Sequence, residues 1–326
     1  MSERKLETLN DVSETLLITL YLRAMESQRP DALIKDEKAV ALVRQMSYDF
    51  DRVRKIPLSE ANKLVIILRN REFDLNACDF LARNPQAVVV HIGCGLDSRF
   101  EHVDNGRVEW YDLDFPEVIE LRRKFVGGEG ERYHLLGCSV LGDAWLKAVS
   151  AHRLGNHPVG KRPFLFLAEG VSMCLQEVQV RSLVLKLRHH FPGAELVFDA
   201  FSPLHLWVSK LQMSPSRFGG LLRWGIWHGQ KIEGWGDGTL APHEAQRSAG
   251  VRLLGEWGFF DCPEPRLARI RWIRPFDLLI RTMRIITSVS EIQPGEKNVD
   301  EAKETIKQST CAVYHSCSLG TLWGNP

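Results

Sequence analysis

The chain has 326 residues, 44% of them apolar, enough to bury one large core and favouring a single elaborated domain over several small ones. Its 42 basic and 41 acidic residues cancel, so no summed positive field exists to hold a nucleic acid or an anionic membrane, and neither is an expected partner. The seven cysteines form no CxxC pair, the opening MSERKLETLNDVSETLL lacks a signal peptide's apolar core, and no apolar run is long enough to span a bilayer, so a reducing, cytoplasmic setting is expected.

Residues 1–84 read as an N-terminal helical cap. Apolar side chains recur at three- and four-residue steps in Leu16, Leu17, Leu20, Tyr21 and Ala24, and again in Ala39, Leu42, Val43 and Met46. Arg29-Pro30-Asp31 breaks the first helix, and Asp31 is placed to cap the second. A further helix is expected from Leu64 to Leu81, before Asn84-Pro85 stops it.

At Ala87 the pattern changes to short apolar runs alternating with amphipathic stretches, as in βαβ units around a parallel sheet. Strands are expected at 87–92, 108–113, 133–137, 164–168 and 195–200, and helices at 96–102, 116–125, 142–151 and 176–191. The expected fold is therefore α/β: a Rossmann-like doubly wound sheet in a core at 85–290, with the N-terminal helical region added. Residues 201–245, where Trp207, Trp224, Trp227 and Trp235 sit among glycines and prolines, read as a lid insertion whose aromatics either line a pocket or pack the lid down. Stretches 244–257, 266–273 and 278–286 are expected to supply the closing helix and strands, and 291–326 a polar, poorly ordered tail.

Chemistry concentrates where strands end. In VVVHIGCGLDSRF an apolar strand runs into Gly93-Cys94-Gly95 and then a helix start, a turn whose glycines let backbone approach a ligand. The third glycine of the dinucleotide fingerprint is absent, since position 98 is serine. The second strand ends in WYDLDFPE, with Asp112 and Asp114 about 20 residues after the turn, where a carboxylate accepts from ribose hydroxyls. One of the pair is expected on the ribose, the other as a cap for the helix at Pro116. The fourth strand ends in FLFLAEGV, and Glu169 after a buried strand needs a partner or a cationic ligand such as a sulfonium amino acid.

The ordered series HIGCGLDSR, YDLDFPEVIELRR, LAEGVSMCL and FPGAELVFDAFSP resembles the leucine carboxyl methyltransferase family, in particular its branch of polyketide-type O-methyltransferases, over residues 13 to 287. The opening LYLRAMESQRPDALIKDEKA is similar to that branch as well. The resemblance implies a class I methyltransferase using S-adenosylmethionine, with Gly93 and Gly95 under the methionine portion, Asp114 or Asp112 on the ribose and Glu169 near the amino group. It also implies that Arg69 forks the methionine carboxylate. Where the peptide-carboxyl branch has an acidic residue near the adenine, this chain has Cys138 and Ser139, which become the candidate contacts there. Cys174 stands where the family commonly has a tyrosine and reads as packing, because no histidine adjoins it to activate a thiol.

Methyl transfer from a sulfonium needs alignment in a dry pocket and no metal. A carboxylate acceptor needs no base; for a hydroxyl acceptor the candidates are Asp199, His205 and His228. The expected function is O-methylation of a small-molecule acceptor. The alternatives are carboxyl methylation of a peptide or protein C-terminus, a nicotinamide-dependent oxidoreductase, which shares the glycine turn and acidic strand end, and a non-catalytic cofactor-binding regulator.

Overall fold

The computed structural model describes residues 11–56, 58–151, 162–207, 221–235, 250–262, 264–268 and 280–287. Four helices come first: α1 (Asp11–Ser27), α2 (Glu37–Gln45), α3 (Asp51–Arg54) and α4 (Glu60–Arg83). The cap of α2 is Asp36, whose carboxylate accepts from the Ala39 amide at 2.8 Å, and not Asp31, which lies out in the connecting turn. Ser59 caps α4 through the Asn62 amide at 3.1 Å.

Five parallel strands follow with their connecting helices: β1 (Val88–Ile92), α5 (Arg99–Val103), β2 (Glu109–Asp114), α6 (Pro116–Phe125), β3 (Tyr133–Gly137), α7 (Ala144–Ala151), β4 (Phe164–Ala168), α8 (Glu177–His190) and β5 (Glu195–Phe201). Then β6 (Arg252–Gly258) and β7 (Ile280–Ile286) complete a seven-stranded sheet in the order β3-β2-β1-β4-β5-β7-β6, with β7 antiparallel to both neighbours. The five expected strands and the α6 bounds match the sequence reading. The first connecting helix is shorter than its pattern, since Ser98 is the cap and helix begins only at Arg99. Residues 265–268 form a tight helical turn rather than the start of a strand. Much of the expected lid (208–220 and 236–249) and the tail from 291 lie outside the described residues.

Why the sheet sits where it does is legible in burial. β1 and β4 are buried along their whole length, as strands covered on both faces must be. On one face Val88, Val90, Phe164 and Phe166 pack with Trp145 of α7 and Val184, Leu187 and Phe191 at α8. On the other, Val89, Leu165, Leu167 and Val197 meet Phe73, Ala77, Phe80 and Leu81 of α4. At about 1.5–3 kcal/mol for each large apolar side chain removed from water, these two layers dominate stability. The last helix of the cap is thus part of the sheet's own covering, while α1 and α2 pack through Leu17, Leu20, Ala39 and Leu42 against Leu96, just past the β1 turn. That docking brings the cap over the carboxyl edge of β1 and β4, where strand order reverses and open α/β sheets bind ligands.

Candidate active site

At the end of β1 the backbone turns through Gly93 (φ +66°) and Gly95 (φ +51°), a region that side chains other than glycine avoid. Close approach reinforces the choice: a Cβ on Gly93 would run into Val171, and one on Gly95 would lie 2.7 Å from Leu16 of α1. Asp114, at the end of β2, ties the turn down. Its Oδ2 accepts from the Gly95 amide at 2.8 Å and its Oδ1 from Phe115 at 2.7 Å, while burial raises its pKa. It does not cap α6, whose capping position is Phe115, without a side-chain bond.

Asp112 corrects the sequence reading. Its carboxylate is 1% exposed and receives Arg122 and the Tyr133 hydroxyl on Oδ2 and the Trp110 indole at 2.8 Å on Oδ1. Burial opposes its charge, but Arg122 and His91 hold it below the ordinary carboxylate range. With no lone pair turned to open space, it is an anchor for Arg122 and is withdrawn from the ribose. Arg122 reaches from α6 to donate to the carbonyls of Gly95 at 2.8 Å and Asp97 at 2.7 Å, fixing the glycine turn from behind.

Glu169, Arg69 and Asp199 meet at the ends of β4 and β5. Arg69 of α4 donates from Nε to Glu169 at 3.0 Å and from NH1 to Asp199 at 3.1 Å. The Gly170 amide, at φ +72°, donates to the other Asp199 oxygen at 2.7 Å, and burial raises the Asp199 pKa. Glu169 also accepts from Arg99 at 2.7 Å and from Asn70 at 3.4 Å. Arg99 is wholly buried and continues to Asp74 at 2.6 Å and His91 at 3.1 Å, and the His91 ring lies 3.4 Å from Asp112. A last branch ties in the cap: Arg23 pairs with Asp36 and donates to the Leu96 carbonyl at 2.8 Å, while Ser98 bonds Asp36 at 2.8 Å. His102 lies between Asp36 and Asp74, and although burial opposes its charge, those carboxylates raise its pKa to about 10.

Among the described residues the resulting cluster joins the seven carboxylates of Asp36, Asp74, Asp97, Asp112, Asp114, Glu169 and Asp199 with Arg23, Arg69, Arg99, Arg122, His91 and His102 as their basic partners. Carboxylates outnumber cations, and a site with that imbalance suits a ligand that carries positive charge. Arg23, Asn70, Arg99, Arg122 and His102 were not singled out from sequence. The available signal was position: Arg122 shares a helix face with the buried Val118 and Ile119, where an apolar residue would be the default.

The remaining sequence candidates lie around this cluster. Cys138 donates its backbone amide to the Asp114 carbonyl at 2.9 Å and packs its half-buried side chain against the core, and Ser139 is exposed beside it. The His205 ring lies 4.5 Å from that of Phe201, and burial lowers its pKa to about 4. His228 is exposed. Cys174 is half-buried with its thiol 3.7 Å from the Gly170 carbonyl. Among the described residues no trio of His, Cys, Asp or Glu is arranged to hold a metal, and no helix is long and apolar enough to cross a membrane.

The family described as Leucine carboxyl methyltransferase matches residues 16–187. The tetracenomycin polyketide synthesis O-methyltransferase TcmP of Streptomyces glaucescens is 33% identical over 256 residues, 78% of this chain and 86% of that protein. The S-adenosyl-L-methionine-dependent methyltransferase dpfgK of Gibberella zeae is 33% identical over 209 residues, 59% of this chain and 67% of that one. Among solved structures, a DUF574 family protein from Streptomyces avermitilis superposes with a TM-score of 0.53 at 12% identity, covering 83% of this chain and 96% of that one, a likeness of fold.

Proposed function

The chain belongs to the leucine carboxyl methyltransferase family and is an S-adenosylmethionine-dependent methyltransferase, and from that premise we propose that it methylates a carboxylate or hydroxyl oxygen of a small polyketide-like metabolite. Family membership sets aside the nicotinamide and non-catalytic readings. The observation that carries the proposal is the excess of carboxylates converging on the β1 and β4 ends, beside a glycine turn with no room for a Cβ. S-adenosylmethionine supplies an electrophilic methyl group on a sulfonium; the acceptor oxygen forms the new C–O bond as the C–S bond breaks and its electron pair returns to sulfur.

In this reading Asp114 receives the ribose hydroxyls, Glu169 the amino group, and Arg69 the carboxylate of the methionine portion. Arg69 then exchanges one of its present carboxylate partners for that of the ligand, a swap its planar fork permits. Arg99 and Asn70 keep Glu169 aimed while Arg69 turns. The acceptor lies over the ends of β4 and β5. A carboxylate acceptor needs no base. For a hydroxyl acceptor His205 and His228 are the bases that remain, since Asp199 has both oxygens engaged by Arg69 and Gly170; His205 is neutral above pH about 4.

The test is transfer of tritium from methyl-labelled S-adenosylmethionine to a panel of aromatic acids and phenols by the purified enzyme. Label in a base-labile ester or a base-stable ether is expected, according to the acceptor oxygen. Label entering only peptide C-termini, with none in any small molecule, would overturn the acceptor class.

A further inference from the structure

The described part of the stretch after β5 has a built face that the cofactor reading does not use. Its strip from Arg223 to Trp227 is clamped across the ends of β4 and β5. The Arg223 amide donates to the Met173 carbonyl at 2.7 Å and the Ile226 amide to the Phe201 carbonyl at 2.7 Å, and Gly225 pairs with Phe201. A Cβ on Gly225 would stand 2.6 Å from the Phe201 oxygen, so only glycine lets the strip lie this close. Burial alternates along it: Trp224 and Ile226 go into the core, while Arg223 and Trp227 face out on the opposite side.

That outward face sits beside the site. Met173 follows Ser172, whose hydroxyl bonds the Asp199 carbonyl, and Asp199 holds Arg69. Trp227 is 45% exposed, and past Phe201 and Ser202 the helical turn at 203–207 also leaves Leu204 and Trp207 exposed, at 40% and 61%. Large apolar side chains left in water next to a catalytic edge mark a binding surface more often than scattered exposure does. The guanidinium of Arg223 is exposed and forms no ion pair among the described residues, unlike the buried arginines of the cofactor cluster. It nonetheless belongs to the site's field: the Cys174 thiol, held up by burial and by Asp199, is drawn down by Arg69 and Arg223 together.

We propose that this rim recognises the acceptor, and that the acceptor is a planar aromatic acid, its ring against Trp227 and its anionic group in the fork of Arg223. Tryptophan offers a broad face for a flat ring, and an unpaired guanidinium offers two parallel donors to a carboxylate. Arg223 is then a specificity-determining residue: it sets affinity for acidic over neutral acceptors and leaves the cofactor site alone. The inference rests on the methyltransferase reading above.

The experiment loads the full-length enzyme with S-adenosylhomocysteine and titrates 2-naphthoate and its neutral isostere 2-naphthamide by calorimetry. The wild type is expected to bind the acid about tenfold tighter than the amide. Arg223→Gln should erase that preference, Arg223→Lys keep part of it, and Trp227→Ala weaken both probes alike. S-adenosylhomocysteine affinity should be the same in wild type and Arg223→Gln, which shows the variant folded. Equal wild-type affinity for the two probes, binding of neither, or unchanged preference in Arg223→Gln overturns the proposal. Failure of the wild type to bind S-adenosylhomocysteine strikes the cofactor reading instead.

Discussion

The two ends of one sheet edge are built in opposite ways. Around β1 and β2 the arginines are buried and answered: Arg122 by Asp112 and Tyr133, Arg99 by Asp74 and Glu169, Arg23 by Asp36. Around the end of β5 the strip at Arg223 to Trp227 is fixed by backbone bonds, yet turns a guanidinium and the Trp227 ring into water. The contrast follows the ligands each end serves in the proposed reading. A cofactor of constant shape rewards a rigid, pre-paired frame, whereas an acceptor is recognised by groups kept free to pair with it.

The largest effect that would sharpen this contrast is Arg122→Met. It leaves the buried Asp112 carboxylate without its arginine and the carbonyls of the glycine turn without their donor, and breaking one side of a buried pair costs about 3–5 kcal/mol. Urea unfolding should show that loss, while Arg223→Gln at the other end should stay within about 0.5 kcal/mol of wild type. An Arg122→Met variant as stable as wild type would erase the distinction.

His102 gives a smaller and pH-dependent effect. Its pKa in the fold, about 10, stands above the ordinary 6.5, so its charge stabilises the fold fully below about pH 6.5, and the contribution is lost as pH rises through about 10. Thermal melts of wild type and His102→Gln should differ most at low pH and converge near pH 10. A gap that widens with pH would mean the imidazole is held neutral.

Much of the fold was legible because β1 and β4 are buried on both faces and so read as unbroken apolar runs, and because Pro116 and Pro192-Gly193 mark helix ends without outside help. Asp114, Glu169 and Arg69 were legible as candidates for a related reason: they belong to motifs at strand ends or to a family pattern, and the fold brings them to one sheet edge. Asp112 was misassigned because strand alternation gives the side a residue faces but not what waits there. Arg122 and Tyr133 come from α6 and β3, and only the folded sheet places them over Asp112. Asp36 lost out to Asp31 as the expected α2 cap because the turn after Pro30 runs longer than the Pro-Asp pair suggests. Arg99 and Arg23 were invisible for the same long-range reason, since an arginine on a helix reads as solvated until its buried partners are known.

Calorimetric titration of S-adenosylmethionine into wild type, Asp114→Ala and Arg223→Gln tests the division of the edge most directly. Asp114 holds the Gly95 amide and receives the ribose in the proposed reading, while Arg223 lies on the proposed acceptor rim. The expected result is saturable binding by wild type and Arg223→Gln with equal affinity, and binding lost or weakened by about a hundredfold in a folded Asp114→Ala. Undiminished binding by Asp114→Ala, or loss of binding by Arg223→Gln, would contradict it.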